Sequence, residues 1–227
     1  MAALQFSLIP LAAIVLGTFI AAWRTPGAGI VAAMQHLAAG VVFAAAATEI
    51  LPQVMHGNSP VATLIGGAAG VAAMLALKAA ESRFEGPVAL LATIGLDLAI
   101  DGLVLGLAFV AGEQAGVLLA VALTLEVFFL ALTLTNDLKA RFTKLRAITI
   151  SCALAFLVPV GALAAQPVAS LSPFWITGFL SFGLMALLYL VVEELLVEAH
   201  EKPDSPLISA MFFVGFLALL LLEEMIV

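Results

Sequence analysis

Charged side chains are scarce in this sequence. They make up 10% of the 227 residues, whereas 64% are hydrophobic. Soluble domains are roughly a quarter charged, so too few polar side chains are present to cover a water-soluble globule. This composition excludes a cytosolic enzyme, a nucleic-acid-binding protein and a disordered tail. The single cysteine, Cys152, allows neither an internal disulfide nor a cysteine-based zinc cluster.

Long apolar runs take the place of the missing charge. A helix that crosses the hydrocarbon core needs about 20 mostly apolar residues, and such runs follow one another between clusters of Gly, Pro, Asn and Ser. We predict an all-α membrane protein, one transmembrane domain over 1–227, with helices at 5–23, 27–55, 60–80, 87–111, 116–138, 146–166, 172–200 and 206–226. The first run differs from a signal peptide, because no Lys or Arg precedes it and no Ala-x-Ala site closes it cleanly.

The basic residues predict the orientation. They fall only in or beside the odd-numbered connections: Arg24, Lys78, Arg83, Lys139, Arg141, Lys144, Arg146 and Lys202. The positive-inside rule places these connections in the cytoplasm and both termini outside it. Such a topology requires an even number of spans, which agrees with the eight predicted from hydropathy.

Several acids lie within the predicted spans: Glu49, Asp97, Asp101, Glu126, Glu193 and Glu194. No Lys or Arg is expected at comparable depth to neutralise them. An acid at the bilayer centre costs about 2.5 kcal/mol or more on insertion scales, so such residues usually mark an ion or proton pathway.

Depth singles out three of these acids. Asp97 lies ten residues beyond Pro87, about 15 Å along the helix and half the hydrocarbon thickness. Glu126 lies ten residues beyond Gly116 on the next, antiparallel helix. Asp97 and Asp101 share one helix face because they are four residues apart. We therefore predict that the three carboxylates converge at the midplane.

Three unpaired charges there would be very unfavourable, so protons, a cation, or both in alternation must neutralise them. The competing interpretation is that each acid is protonated and hydrogen-bonds a neighbouring helix. For Glu49 the two interpretations are balanced, since Thr48 and Gln53 are nearby. Glu193 and Glu194 favour function, because adjacent side chains cannot face one partner.

Three segments resemble the ZIP (Zrt/Irt-like) metal transporters, a family of divalent-cation carriers. HLAAGVVFAAAATEILP, 36–52, looks like the family's second helix, and LYLVVEELLVEAHE, 188–201, resembles the seventh helix of bacterial members. LDLAIDGLVLG, 96–106, matches the fourth-helix pattern at its acid and glycine. The resemblance implies eight helices in a 3+2+3 inverted-repeat bundle, both termini extracytoplasmic, in a bacterial inner membrane.

The departures from the family pattern concern the metal site. Asp97 stands where the family usually has a histidine, and Leu98 replaces an asparagine. LEVFF, 125–129, keeps only Glu126 of the fifth-helix motif, and Val158 replaces a sixth-helix glutamate. Mapped by residue, the family's two-metal centre shrinks to Asp97, Asp101 and Glu126.

The expected cargo is a divalent metal cation. Carboxylates suit harder ions such as manganese or iron(II), and zinc accepts them too, while the resemblance favours zinc or iron. Two histidines are weaker candidates for ligands. His36 fits a packed helix position as well as a ligand, and His200 is either part of a transient exit site with Glu198 and Glu201 or simply solvated.

Three functions remain open: a ZIP-like transporter with a reduced site, a ZIP-fold metal sensor or binding partner without transport, and a proton-coupled carrier of another solute. An intramembrane aspartyl protease is rejected because Asp97 and Asp101 share a helix, so no enzymatic activity is expected. The predicted partners are the lipid bilayer, metal ions and protons, with a homodimer left open.

Overall fold

The computed structural model describes residues 2–24, 27–83, 87–201 and 205–226; of residues 81–83, 87–90 and 226 it describes only the backbone. Nearly all described residues are helical, with no strand among them. We number the helices α1 Ala2–Trp23, α2 Ala28–His56, α3 Pro60–Arg83, α4 Pro87–Ala111, α5 Glu113–Arg141, α6 Lys144–Ser170, α7 Pro173–His200 and α8 Pro206–Ile226.

The prediction of eight helices long and apolar enough to cross a membrane is confirmed. Helix α5 starts at Glu113, three residues before its predicted start at 116. An acid in the first turn interacts favourably with the helix dipole, so Gly112 alone separates α4 from α5. Parts of the predicted connections between helices, at 25–26, 84–86 and 202–204, lie outside the described residues, as do Lys202 and the Arg83 side chain.

Three helices are internally irregular. A π-helical segment, Ala46–Ile50, interrupts α2, and another, Leu190–Leu195, interrupts α7. In α6 the regular helix breaks at Phe156, because Pro159 lacks an amide proton and its ring clashes with the carbonyl four residues earlier. A short 3₁₀ segment, Gln166–Ser170, ends α6.

The helices pack most extensively in four pairs: α1 with α5, α2 with α8, α3 with α7, and α4 with α6. Glycines permit the close approach. A Cβ at Gly102 of α4 would overlap the Val158 carbonyl of α6, and one at Gly161 of α6 would overlap the Ala99 carbonyl of α4. The close packing expected from Gly-x-x-x-Gly pairs is therefore present in this helix pair. The two middle helices, α4 and α5, also pack against each other.

One end of the bundle is basic. Lys139 near the end of α5 donates a hydrogen bond to the Ala21 carbonyl of α1, and Lys144 at the start of α6 lies over the Trp23 ring. We call this the basic end. It carries the basic residues whose side chains are described: Arg24, Lys78, Lys139, Arg141, Lys144 and Arg146.

Candidate functional site

Three buried carboxylates lie between α4, α5 and α7. Asp97 is 9% exposed, Asp101 2% and Glu126 3%. Asp101 interacts electrostatically with Glu126, and Glu126 with Asp97. Glu194 of α7 interacts with both Asp101 and Glu126. The three acids predicted at midplane depth are therefore neighbours, and α7 adds a fourth.

Helical spacing aligns these acids with other polar residues. On α4, Thr93 and Asp97 lie one turn apart on the face that continues to Asp101. On α5, Thr133 and Asp137 continue the line that begins at Glu126. On α7 the polar line consists of Glu194, Glu198 and Glu201.

These three polar lines border a cavity of about 400 Å³. Its acidic lining comprises Asp97, Asp137, Glu194, Glu198 and Glu201. Asp137, Glu198 and Glu201 are exposed, so the cavity reaches the surface at the basic end. It thus connects that surface with the buried carboxylate at Asp97, and its acids favour cations over anions.

A smaller cavity of about 30 Å³ lies deeper and connects Asp97 with Glu126. Its other polar lining residues are Gln35, Thr133, Glu194 and Glu198. A water molecule needs about 10–15 Å³ of such space, so there is room for two waters or one small cation. Among the described atoms, Asp101 Oδ2 and Glu126 Oε2 are buried without a hydrogen-bond partner.

Apolar side chains fill the bundle on the other side of the acids. Leu105 lies one turn beyond Asp101 on α4, and Leu119 and Leu123 precede Glu126 on α5. All three are 0% exposed and belong to the main hydrophobic core. The cavities therefore lead from the basic end to Asp97 and Glu126, while packed leucines separate the acids from the opposite end.

The two adjacent glutamates of α7 lie in different surroundings. Glu194 lines both cavities. Glu193 is exposed and pairs with Lys78 of α3, whose Nζ lies 3.4 Å from its carboxylate and 3.1 Å from its backbone carbonyl. Of the acids within the spans, Glu193 is therefore paired with a basic side chain. The long lysine side chain reaches it from the basic end.

Glu49 lies apart from this group. It is 7% exposed, within the π-helical segment of α2, and its electrostatic neighbour is Glu223 of α8. Thr48 and Glu223 each have a buried oxygen, Oγ1 and Oε2, without a hydrogen-bond partner among the described atoms. Glu49 is therefore a buried carboxyl that lies apart from the three between α4, α5 and α7.

The two candidate histidines are also outside the carboxylate group, but they contact each other. His36 is 1% exposed, and its ring centroid lies 4.9 Å from that of His200, with the planes at 64°. One residue before His36, Gln35 donates a 2.6 Å hydrogen bond to Glu198. These contacts join the basic-end portions of α2 and α7.

Apolar packing occupies the positions where the ZIP-like pattern would have further ligands. Leu98 is 1% exposed and Val158 0%, and both belong to one small apolar cluster with Val127. Phe129 packs in another cluster with Ala38 and Leu132. These side chains offer no ligand atoms.

Three residues of the site were missed by the sequence analysis: Gln35, Thr93 and Thr133. The threonines were detectable. Thr93 precedes Asp97 by four residues, and Thr133 follows Glu126 by seven, which are helical same-face spacings. Gln35 had a weaker signal, a polar residue next to His36 within an apolar span.

Two findings bear on identity and metal binding. No family model and no curated protein sequence matches the chain.

Within the described residues, no three or more His, Cys, Asp or Glu side chains are grouped closely enough to hold a metal ion. Asp97 and Glu126 share a cavity, but the acids do not form a compact coordination sphere.

Proposed function

We propose that the chain is a ZIP-like transporter that moves a divalent cation, zinc, iron or manganese, across the membrane. The observation that carries the proposal is the acidic cavity leading from the basic end to Asp97 and onward to Glu126. Buried carboxylates inside a membrane bundle usually mark a cation or proton pathway. Here they lie at the inner end of a path lined by further acids.

The cargo site consists of Asp97, Asp101 and Glu126, with Glu194 as the nearest addition from α7. Binding a divalent cation compensates the mutual repulsion of these acids in a low-dielectric setting. In the structure these acids are too far apart to surround one ion, so their side chains must move closer together when the cation binds. A small shift of α7 would bring Glu194 toward Asp101 and Glu126, with which it already interacts.

Access from one end only corresponds to one state of an alternating-access cycle. The leucines Leu105, Leu119 and Leu123 form the closed side. The positive-inside rule makes the basic end cytoplasmic and both termini extracytoplasmic. In a bacterial inner membrane, this state faces the cytoplasm.

The helix pairing supports the 3+2+3 inverted repeat. Exchanging α1–α3 with α6–α8, and α4 with α5, converts the α1–α5 pair into α6–α4 and the α2–α8 pair into α7–α3. All four are the extensive pairs of the bundle. The π-helical segments of α2 and α7 are exchanged by the same operation. Transporter sites commonly lie at such repeat interfaces.

A single-metal site fits the apolar packing around it. Leu98 and Val158 pack together where the ZIP pattern has additional ligands. An all-carboxylate site favours harder ions such as manganese and iron(II), though zinc also binds carboxylates. We therefore propose broad divalent specificity.

A proton-coupled carrier of another solute is the second candidate. It is favoured by the absence of a three-ligand group within the described residues. The same acids would then exchange protons rather than coordinate a metal. Under either function, the lipid bilayer and protons are partners, and the chain carries no enzymatic activity.

Uptake into proteoliposomes tests the proposal. Purified protein is assayed with radioactive manganese and zinc, and metal content is measured by mass spectrometry with and without chelator. We expect the Asp101→Asn, Glu126→Gln double variant to lose metal loading and at least 90% of uptake, because two charged ligands are removed from a small site. The amides are easier to bury than carboxylates, so the variant should still fold and insert.

The matched control is Glu113→Gln, an exposed acid at the opposite end of α5. It should transport at the wild-type rate. Wild-type uptake by the double variant would overturn the proposal. The proton-coupled carrier would be established instead by two results together: the wild-type protein contains no metal, and an imposed solute gradient acidifies the vesicles that contain it.

A further inference from the structure

The contact between His36 and His200 connects α2 with α7 outside the carboxylate site. Two imidazoles in contact are either an aromatic packing pair or a pair of metal ligands. Their hydrogen bonds and spacing distinguish these possibilities.

Hydrogen bonds define the protonated nitrogen of each ring. His36 Nδ1 lies 3.0 Å from the Ala32 carbonyl oxygen, and His200 Nδ1 lies 2.6 Å from the Leu196 carbonyl oxygen. A carbonyl only accepts, so each Nδ1 carries the proton and donates it. Nε2 is then the nitrogen of each ring that can act as a metal ligand. Metal-binding histidines are oriented in this way, with the second nitrogen bonded to a carbonyl or carboxylate.

The His36 Nε2 atom is buried without a hydrogen-bond partner among the described atoms. A buried ring nitrogen without a hydrogen-bond partner is unfavourable. Packing alone leaves this cost in place, since a ring edge offers the nitrogen no donor. A metal ion would satisfy it.

The ring spacing also suits a shared ion. Two imidazoles on one tetrahedral zinc, with Zn–N near 2.0–2.1 Å, have ring centroids about 5 Å apart. The observed separation is 4.9 Å. The hydrogen bond from Gln35 to Glu198 fixes the register of the two helices beside the rings.

One member of the pair, His200, is accessible to ions. His200 is exposed and, with Glu201, lines a surface depression. Glu201 also borders the acidic cavity. A cation gathered by these acids can therefore reach His200 directly.

We propose that His36 and His200 form a second metal site, the two-histidine site, which binds a late first-row divalent ion such as zinc and bridges α2 to α7. Water completes the coordination sphere. This site does not depend on the proposed function, because it shares no ligand with Asp97, Asp101 or Glu126. Its nitrogen ligands favour zinc over manganese, in contrast to the carboxylates.

Metal titration of the full-length purified protein in detergent tests the inference, with zinc alone and manganese alone as probes. We expect wild-type protein to bind one more zinc than manganese, and zinc to raise its melting temperature. His200→Phe keeps an aromatic ring in the contact but removes the ligand nitrogen. It should lose the additional zinc ion and bind manganese as before. His36→Gln should lose the same ion.

The control is His56→Phe, an exposed histidine at the opposite end of α2, which should retain the additional zinc. The Asp101→Asn, Glu126→Gln variant should also retain it while losing manganese. Unchanged zinc stoichiometry in His200→Phe, which alters an exposed side chain and should fold, would overturn the two-histidine site. Unchanged manganese binding in the double variant would overturn the midplane site alone.

Discussion

At the scale of single residues, the feature to explain is the burial of acids among leucines. Each carboxylate near the bilayer centre costs a few kcal/mol on insertion scales. Asp101 and Glu126 each also bury an oxygen without a hydrogen-bond partner among the described atoms. Protonation or a bound cation removes part of this cost. If these positions had only a structural role, a threonine would be less costly to bury than an acid, because its hydroxyl can donate a hydrogen bond to a carbonyl of its own helix. Thr133 does so with the Leu130 carbonyl at 3.0 Å.

Residue 97 offers a test of metal preference. Asp97→His replaces a hard oxygen ligand by a nitrogen at a position that lines both cavities. We expect the ratio of zinc to manganese uptake to rise about tenfold or more, because imidazole favours later transition metals. Competition uptake with both ions measures the ratio. Glu113→His, at an exposed position at the opposite end of α5, is the control and should change the ratio little. Equal ratios in wild type and Asp97→His would place residue 97 outside the coordination sphere.

The convergence of Asp97, Asp101 and Glu126 could be predicted because depth along a straight helix follows from residue count. The surroundings of Glu193 and Glu194 could not. Glu193 pairs with Lys78 of α3 while Glu194 lines the cavities, and both follow from how the helices pack against each other. The partnership of His36 with His200 also joins residues 164 positions apart in sequence, and no spacing rule relates them.

At the scale of helices, glycine determines how closely the pairs approach. Gly161 is a clear case, because its neighbour is the backbone of α4 rather than a movable side chain. Gly161→Ala should force α6 away from α4 and lower stability by about 1–3 kcal/mol. Thermal denaturation in detergent measures the change. Gly29→Ala is the control, since its Cβ would lie 3.9 Å from the nearest atom, the Ile208 side chain. Equal melting temperatures for the two variants would show that the α4–α6 contact tolerates a wider spacing.

The π-helical segments are the part of the helices that sequence reasoning missed. A π turn keeps the hydrophobicity of an ordinary helix, so hydropathy does not reveal it. It shifts the helical phase of the residues that follow. In α7 the segment Leu190–Leu195 contains both Glu193 and Glu194. Glu198 and Glu201 follow the segment and line the acidic cavity together with Glu194. Such segments are frequent at functional sites, and Glu49 lies within the other one.

At the scale of the whole molecule, the number and bounds of the helices followed from hydropathy and helix breakers, whereas their pairing did not. Every span is apolar on most of its surface, so amphipathicity gives no indication of which faces meet. Small residues do: Gly40 of α2 approaches the Phe212 carbonyl of α8, and Gly66 of α3 approaches the Gly178 carbonyl of α7. These close contacts hold the outer helices in pairs around α4 and α5.

The arrangement of access predicts a labelling pattern across the membrane. In a Cys152→Ser background, a cysteine replacing Asp137 at the mouth of the acidic cavity should react with an impermeant thiol reagent only from the cytoplasmic side. One replacing Glu113 should react only from outside, because it is exposed at the opposite end. One replacing Leu119, which is fully buried between the acids and that end, should react from neither side. Intact spheroplasts and inside-out vesicles measure the two directions. Labelling at 137 from outside would reverse the topology given by the positive-inside rule, while labelling at 119 would show that the leucines leave a path open to the opposite end.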